Sequence, residues 1–149
     1  MHVMFICHGN ICRSPMAERV ARGLADERGL DVRLTSAGTS SEEAGNPIDR
    51  RAARLLRAHG YDADGHVARQ LGKEMCDDVD LFVVAEQHHA RRVAALGVDP
   101  TRIRLVTDFD PTATPGSPLP DPWYGDMADF EHTLAVLERA MPVLLDELR

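Results

Sequence analysis

Cys7 and Arg13 stand with five residues between them in Cys7-His8-Gly9-Asn10-Ile11-Cys12-Arg13-Ser14-Pro15. A thiolate is a strong nucleophile, and a guanidinium grips an oxyanion with a planar fork that lysine cannot reproduce. The pair therefore suits an anion site with a nucleophile at its floor. A strand that ends at Cys7 delivers the thiol to the carboxyl edge of a sheet, where open α/β sheets bind ligands. The next five residues can turn their N–H groups onto a small oxyanion, and a following helix points its positive end at the same spot. Each of these features favours thiolate over thiol. The plain alternative for Cys7 is a buried structural cysteine, a common fate of free thiols. The strand-end position and Arg13 argue against it. For Arg13 the alternative is a surface arginine at a helix start, where the helix dipole disfavours a cation. Gly9 and Asn10 fit a cradle because both tolerate left-handed backbone.

The elements that must hold these residues can be read from periodicity. Val3 to Ile6 is an apolar run and predicts the first strand. Ala17, Val20, Ala21 and Leu24 follow helical spacing, with Ser14 as a cap, Pro15 at the first position and Gly29 as the stop. Val32 to Ser36 predicts a second strand, followed by a loop over residues 37–45. Asn46-Pro47 opens a helix through Ile48, Ala52, Leu55 and Leu56, ended by Gly60, and a short helix is expected over Val67 to Gly72. Leu81-Phe82-Val83-Val84 is a continuous apolar run, as in a parallel strand buried on both faces. A helix over His88 to Leu96 and a strand over Ile103 to Val106 follow. Residues 107–125 hold five of the nine prolines and no periodicity, which marks a long loop of the functional kind. A last helix is expected over Met127 to Leu148, kinked at Pro142. The alternation predicts one small doubly wound α/β domain over residues 1–149, a four-stranded parallel sheet with helices on both faces.

Composition narrows the function. A formal charge of −7 argues against a general nucleic-acid binder. No apolar run approaches the roughly 20 residues that span a bilayer. The N-terminus runs straight into a strand without a charged n-region or long h-region, so no signal peptide is expected. Three cysteines make no disulfide framework, and reduced thiols in the cytoplasm are the expectation. The pair His88-His89 does not predict a metal site, since adjacent side chains diverge on a helix.

The nine residues from Cys7 to Pro15 match C-x-G-N-x-C-R-S-P at every fixed position, and the chain thereby resembles the low-molecular-weight protein tyrosine phosphatases. Further matches follow in order at Ser36-Ala37-Gly38-Thr39, Gly45-Asn46-Pro47, His66-Val67-Ala68-Arg69-Gln70 and Asp121-Pro122-Trp123-Tyr124-Gly125. The resemblance implies a phosphocysteine intermediate on Cys7, phosphoryl oxygens held by Arg13, and His8, Gly9, Asn10, Ile11, Cys12 and Ser14 as the phosphate-binding loop. It implies that Asn10 holds that loop through Ser36 and His66, and that Ser14 donates to the Cys7 thiolate, although capping remains an equal reading for Ser14. Asp121 is expected to protonate the leaving group and then activate water, giving an acid-shifted, bell-shaped rate profile. On its own, Asp121-Pro122 reads as a turn. Trp123 and Tyr124 are expected to line the mouth, with a core anchor as the alternative, and Tyr124 is a candidate for phosphorylation by a tyrosine kinase. The resemblance also implies that oxidation can join Cys7 to Cys12 reversibly, the alternative for Cys12 being a small apolar residue in the cradle. Cys76 reads as core. The expected substrates are tyrosine-phosphorylated proteins, the expected state is a monomer, and no cofactor, metal, nucleic acid or membrane is implied.

The chain departs from the pattern in three places. Ser40-Ser41-Glu42-Glu43 lacks the aromatic wall often found there, His8 replaces a small or apolar residue, and Ala85-Glu86 replaces a Met-Asp pair. These bear on substrate preference. Two other activities share the fold. Arsenate reductases need a further downstream cysteine pair, and only Cys76 is present here. Protein-arginine phosphatases carry threonine where Ile11 stands. A non-catalytic phosphate-binding module would have no use for both Cys7 and Asp121.

Overall fold

The computed structural model describes residues 1–148. β1 (His2–Cys7) is buried along its whole length, as its unbroken apolar run requires of a central parallel strand. It pairs in parallel with β2 (Arg33–Gly38) on one side and β3 (Leu81–Val84) on the other, and β4 (Ile103–Leu105) completes the order β2-β1-β3-β4. The chain leaves β1 towards β2 and later returns to its other flank as β3. A crevice therefore opens at the carboxyl end of β1, and Cys7 is the last residue of that strand.

Alternate β1 side chains go to opposite faces. Val3 and Phe5 join a core with Met16, Ala17 and Val20 of α1 (Arg13–Arg28), Leu56 of α2 (Arg50–Ala58) and Phe130 and Leu137 of α4 (Met127–Glu147). Met4 and Ile6 join a second core with Phe82, Val84 and Val93 of α3 (Gln87–Ala94). Helices thus cover both faces, as the alternation of elements predicts. Gly29 ends α1 in a left-handed cap at φ 64°. α4 runs on through Pro142. No helix among the described residues is long and apolar enough to cross a membrane.

Several local expectations are corrected. α2 starts at Arg50 rather than at Asn46-Pro47. Its cap is Asp49, which accepts from the amides of Arg51 (2.8 Å) and Ala52 (3.3 Å). Asn46 is tied into the preceding loop, where its amide donates to Glu43 (2.6 Å) and its carbonyl accepts from Ala68 N–H (2.8 Å). Residues 67–72 form no helix. Gly38 N–H donates to Arg69 O (2.8 Å) and Leu71 N–H to Gly38 O (2.7 Å), so this stretch adds a short bridge beyond the end of β2. A 3-10 turn follows only at Lys73–Cys76. Ser14 caps nothing: α1 begins at Arg13, after Cys12, and the Ser14 hydroxyl is used elsewhere. Pro15 still falls in the first turn, where its missing N–H has no intrahelical partner to lose. β4 stops at Leu105, one residue short of the expected Val106, and Val106–Phe109 wind into a 3-10 turn that takes in the start of the stretch expected to be loop.

Candidate active site

The crevice at the end of β1 is a cavity of about 180 Å³. Cys7, His8, Gly9, Ile11, Cys12 and Arg13 line it from the β1–α1 loop. Glu42 and Glu43 line it from the loop after β2, and Asp121, Trp123 and Tyr124 from the proline-rich loop. Three segments far apart in sequence therefore meet over one sulfur. Trp123 is 39% exposed and Tyr124 94% exposed, so neither is a core anchor.

Asn10, Ser14, Ser36 and His66 form the layer beneath the bowl. Asn10 is fully buried and is the one non-glycine among the described residues with positive φ, at 59°. Gly9 does not share that conformation, contrary to expectation. A side chain there would instead crowd Glu43, whose Cγ lies 3.2 Å from the Cβ position. The Asn10 carbonyl meets His66 Nε2 at 2.6 Å, and its side-chain oxygen accepts from Arg69 N–H at 3.1 Å. Residues 66–69, which form no helix, thus serve the loop. Asn10 Nδ2 donates to Ser14 Oγ (2.8 Å) and to Ser36 Oγ (3.0 Å). Ser36 in turn donates to Glu18 Oε1 at 2.7 Å. Glu18 is itself buried against Arg22 (2.8 Å) and Arg19 (3.4 Å). Ser14 Oγ lies 3.0 Å from Cys7 Sγ. With the Asn10 hydrogens already directed to both hydroxyls, the Ser14 hydrogen is left for the sulfur. Burial lowers the His66 pKa from its ordinary value, and only part of this is returned by the Asn10 carbonyl.

Arg13 is almost completely buried, and its orientation is set by groups other than a ligand. Nη1 donates to Glu86 Oε2 and to Leu119 O, both at 2.8 Å. Nη2 lies 3.6 Å from Asp121 Oδ2. Asp121 also accepts from Trp123 N–H through Oδ1 at 3.1 Å, a turn that fixes the carboxyl on the cavity wall. Glu86 stands in the sequence only as a departure from the family pattern, with no role at the arginine assigned to it. It lies two residues past β3, at the same sheet edge as Cys7, and an acid at that edge facing a buried arginine was the available signal. Glu18 and the Arg51 clamp were also missed. Arg51 donates to Trp123 O (3.1 Å) and Gly125 O (3.2 Å) and lies over the Trp123 ring at 5.7 Å.

The rim carries charge. His8 Nε2 meets Glu42 Oε2 at 3.1 Å. Cys12 is buried, and burial first, then the nearby charges of Asp49, Cys7 and Asp121, push its thiol well above the usual range. All three cysteines are free. Cys76 is buried, as a core reading expects. The His88 and His89 rings do not diverge: their centroids lie 4.1 Å apart. Together with Glu86 they place ligand-type atoms within 4.8 Å of one another. The donor set suits a cation poorly, because Glu86 is held by Arg13 and His89 Nδ1 accepts from Glu86 N–H at 3.1 Å.

The chain matches the model of the low molecular weight phosphotyrosine protein phosphatases over residues 2–149, and it belongs to that family. The low molecular weight protein-tyrosine phosphatase A of Mycobacterium tuberculosis is 48% identical over 149 residues, covering 98% of this chain and 90% of that protein. Among solved structures, a protein tyrosine phosphatase from Entamoeba histolytica with Hepes in the active site superposes with a TM-score of 0.92 at 28% identity, over 99% of this chain and 96% of that one. The arginine phosphatase YwlE, with a phosphorylated active-site serine, superposes with a TM-score of 0.88 at 26% identity, over 99% and 95% of the two chains.

Proposed function

We propose that the protein hydrolyses phosphotyrosine in proteins, and small aryl phosphates, through a phosphocysteine intermediate. The Cys7 thiolate attacks phosphorus as the bond to the phenolic oxygen breaks, and Asp121 gives that oxygen its proton. Arg13 and the amides of residues 8–12 hold the phosphoryl oxygens, whose charge they stabilise most in the transition state. Water then attacks the phosphocysteine, the Asp121 carboxylate takes its proton, and sulfur leaves as thiolate under the Ser14 hydroxyl. The observation that carries this reading is the convergence of Cys7, Arg13 and Asp121 on one small cavity, with Arg13 Nη2 and Asp121 Oδ2 3.6 Å apart.

Ile11 supports phosphotyrosine over phosphoarginine. It is buried in the cavity wall near Trp123, so the entrance offers apolar and aromatic surface to a flat ring. Comparing phosphotyrosine and phosphoarginine turnover before and after Ile11→Thr separates the two. The proposal includes a cytoplasmic monomer and Tyr124, nearly fully exposed, as a site for a tyrosine kinase. It also includes a protective Cys7–Cys12 disulfide: peroxide oxidises the Cys7 thiolate to a sulfenic acid, the Cys12 sulfur displaces its hydroxyl as water, and a thiol reductant reopens the bond. The test is p-nitrophenyl phosphate turnover in EDTA across about pH 4–8, where a bell-shaped profile is expected. Cys7→Ser should abolish turnover and keep phosphate binding, and quenched reactions with labelled substrate should leave label on Cys7. Turnover by Cys7→Ser, or loss of activity in EDTA, overturns the mechanism.

A further inference from the structure

α2 presents Arg50, Arg54 and Arg57 to solvent at i, i+4 and i+7, on one face of the helix. No carboxylate lies between residues 50 and 61 of a chain whose formal charge is −7. Like charges at this spacing oppose each other and weaken the helix slightly. Arg57 pairs with Asp64 at 2.8 Å. Arg50 and Arg54 have no ion pair among the described residues. They border a groove of about 840 Å³ that Ile48 and Met127 also line. Its two carboxylates are already engaged, Asp49 by Arg51 and the helix cap, Asp64 by Arg57.

The groove adjoins the catalytic cavity. Arg51 lines the groove and donates to the Trp123 carbonyl, while Trp123 lines the cavity. Asp49, at the head of the groove, donates its amide to Ile11 O of the phosphate-binding loop at 2.8 Å. A polypeptide leaving the mouth past Trp123 and Arg51 enters basic surroundings. One leaving past Glu42 and Glu43 meets like charge. Arg50 and Arg54 line the same groove as Arg51, so a chain of several residues, advancing about 3.3 Å per residue, is what would follow it from the mouth.

We propose that the arginine face of α2 is a docking surface for an acidic stretch flanking the phosphotyrosine of the substrate protein, and that it sets the direction in which that chain lies across the mouth. The inference rests on the phosphotyrosine reading above. The acid must reach the groove itself, because the overall negative charge of the molecule is screened beyond about 8 Å at physiological salt and gives no long-range attraction.

The test uses three phosphotyrosine peptides with neutral flanks, acidic residues only before the phosphotyrosine, or acidic residues only after it. Wild type and Arg50→Glu/Arg54→Glu are compared, with p-nitrophenyl phosphate in parallel. One acidic peptide should exceed the neutral one about three- to tenfold in kcat/KM, as expected of exposed ion pairs, with the difference in KM. The preference should fade in about 0.5 M salt and reverse in the double variant, while p-nitrophenyl phosphate turnover stays unchanged. Equal use of all three peptides by the wild type, or a preference that survives charge reversal, overturns the proposal. So does charge-dependent binding of RNA or anionic vesicles without peptide discrimination. If p-nitrophenyl phosphate itself is not hydrolysed, the catalytic reading fails, and peptide binding to Cys7→Ser still reads the docking surface separately.

Discussion

Replacing Asn10 by aspartate keeps the side chain's shape and removes both amide hydrogens. In the native loop those hydrogens go to Ser14 Oγ at 2.8 Å and Ser36 Oγ at 3.0 Å. This leaves the Ser14 hydroxyl hydrogen for Cys7 Sγ and the Ser36 hydrogen for Glu18. A carboxylate only accepts, so in Asn10→Asp the Ser14 hydrogen turns away from sulfur. A hydrogen bond to a charged group contributes about 1.5–3 kcal/mol, which is roughly a 10- to 150-fold loss in kcat/KM. The contact of the side-chain oxygen with Arg69 N–H, 3.1 Å in the native loop, can persist, and a thermal melt separates loss of fold from loss of rate. The assay is p-nitrophenyl phosphate kinetics for Asn10→Asp, Ser14→Ala and the double variant. Both single changes remove the same donor, so the double variant should lose much less than the product of the two. Activity of Asn10→Asp within about threefold of wild type, or losses that multiply in the double variant, would show that the hydroxyl chain does not run in this direction.

Asp121→Ala should slow phenyl phosphate about 10²- to 10⁴-fold and leave an ester whose leaving group needs no proton far less affected, as a comparison of kcat across leaving groups reads directly. Gly38→Ala should disturb the loop from outside the cavity: the added Cβ would lie 2.6 Å from His8 O, and overpacking of this kind costs about 1–3 kcal/mol of stability, read as a lower denaturant midpoint, along with activity. Acid should destabilise the fold before the carboxylates titrate. Burial first, and then the charges of His88, Arg13 and His8, hold the His89 pKa down at about 3, against about 6.5 when unfolded. The unfolded chain therefore binds the proton first, and the His89 contribution is complete above about pH 6.5 and falls away as pH drops towards 3, by about 2 kcal/mol at pH 5. His66 acts in the same direction. Urea midpoints that do not move between about pH 7 and 5 would refute this.

The shape of the loop between β1 and α1 was legible because its residues are contiguous: a strand end, a turn and a helix start fit within Cys7 to Pro15, and local chemistry decides all three. The residues that orient it come from elsewhere. Residues 67–72 suit a short helix by sequence, yet the bridge to Gly38 and the contacts of the neighbouring residues with Asn10 keep them out of one. Asn46 and Asp49 both have capping side chains, and only the loop bond of Asn46 to Glu43 shows why Asp49 does the capping. Glu86 entered only as a departure from the family pattern and Glu18 not at all, because the arginines opposite them are placed by the fold. Asn10 shows where local and distant demands meet. Its φ of 59° is a conformation glycine would take more easily, and Gly9 beside it does not use it. Glycine at position 10 would satisfy the backbone and leave Ser14, Ser36 and Arg69 without their partner. Asparagine is one of the few residues that tolerates the turn and carries both a donor and an acceptor. Its presence in a glycine-like position is thus a local mark of a buried polar network whose other members the chain supplies up to 59 residues away.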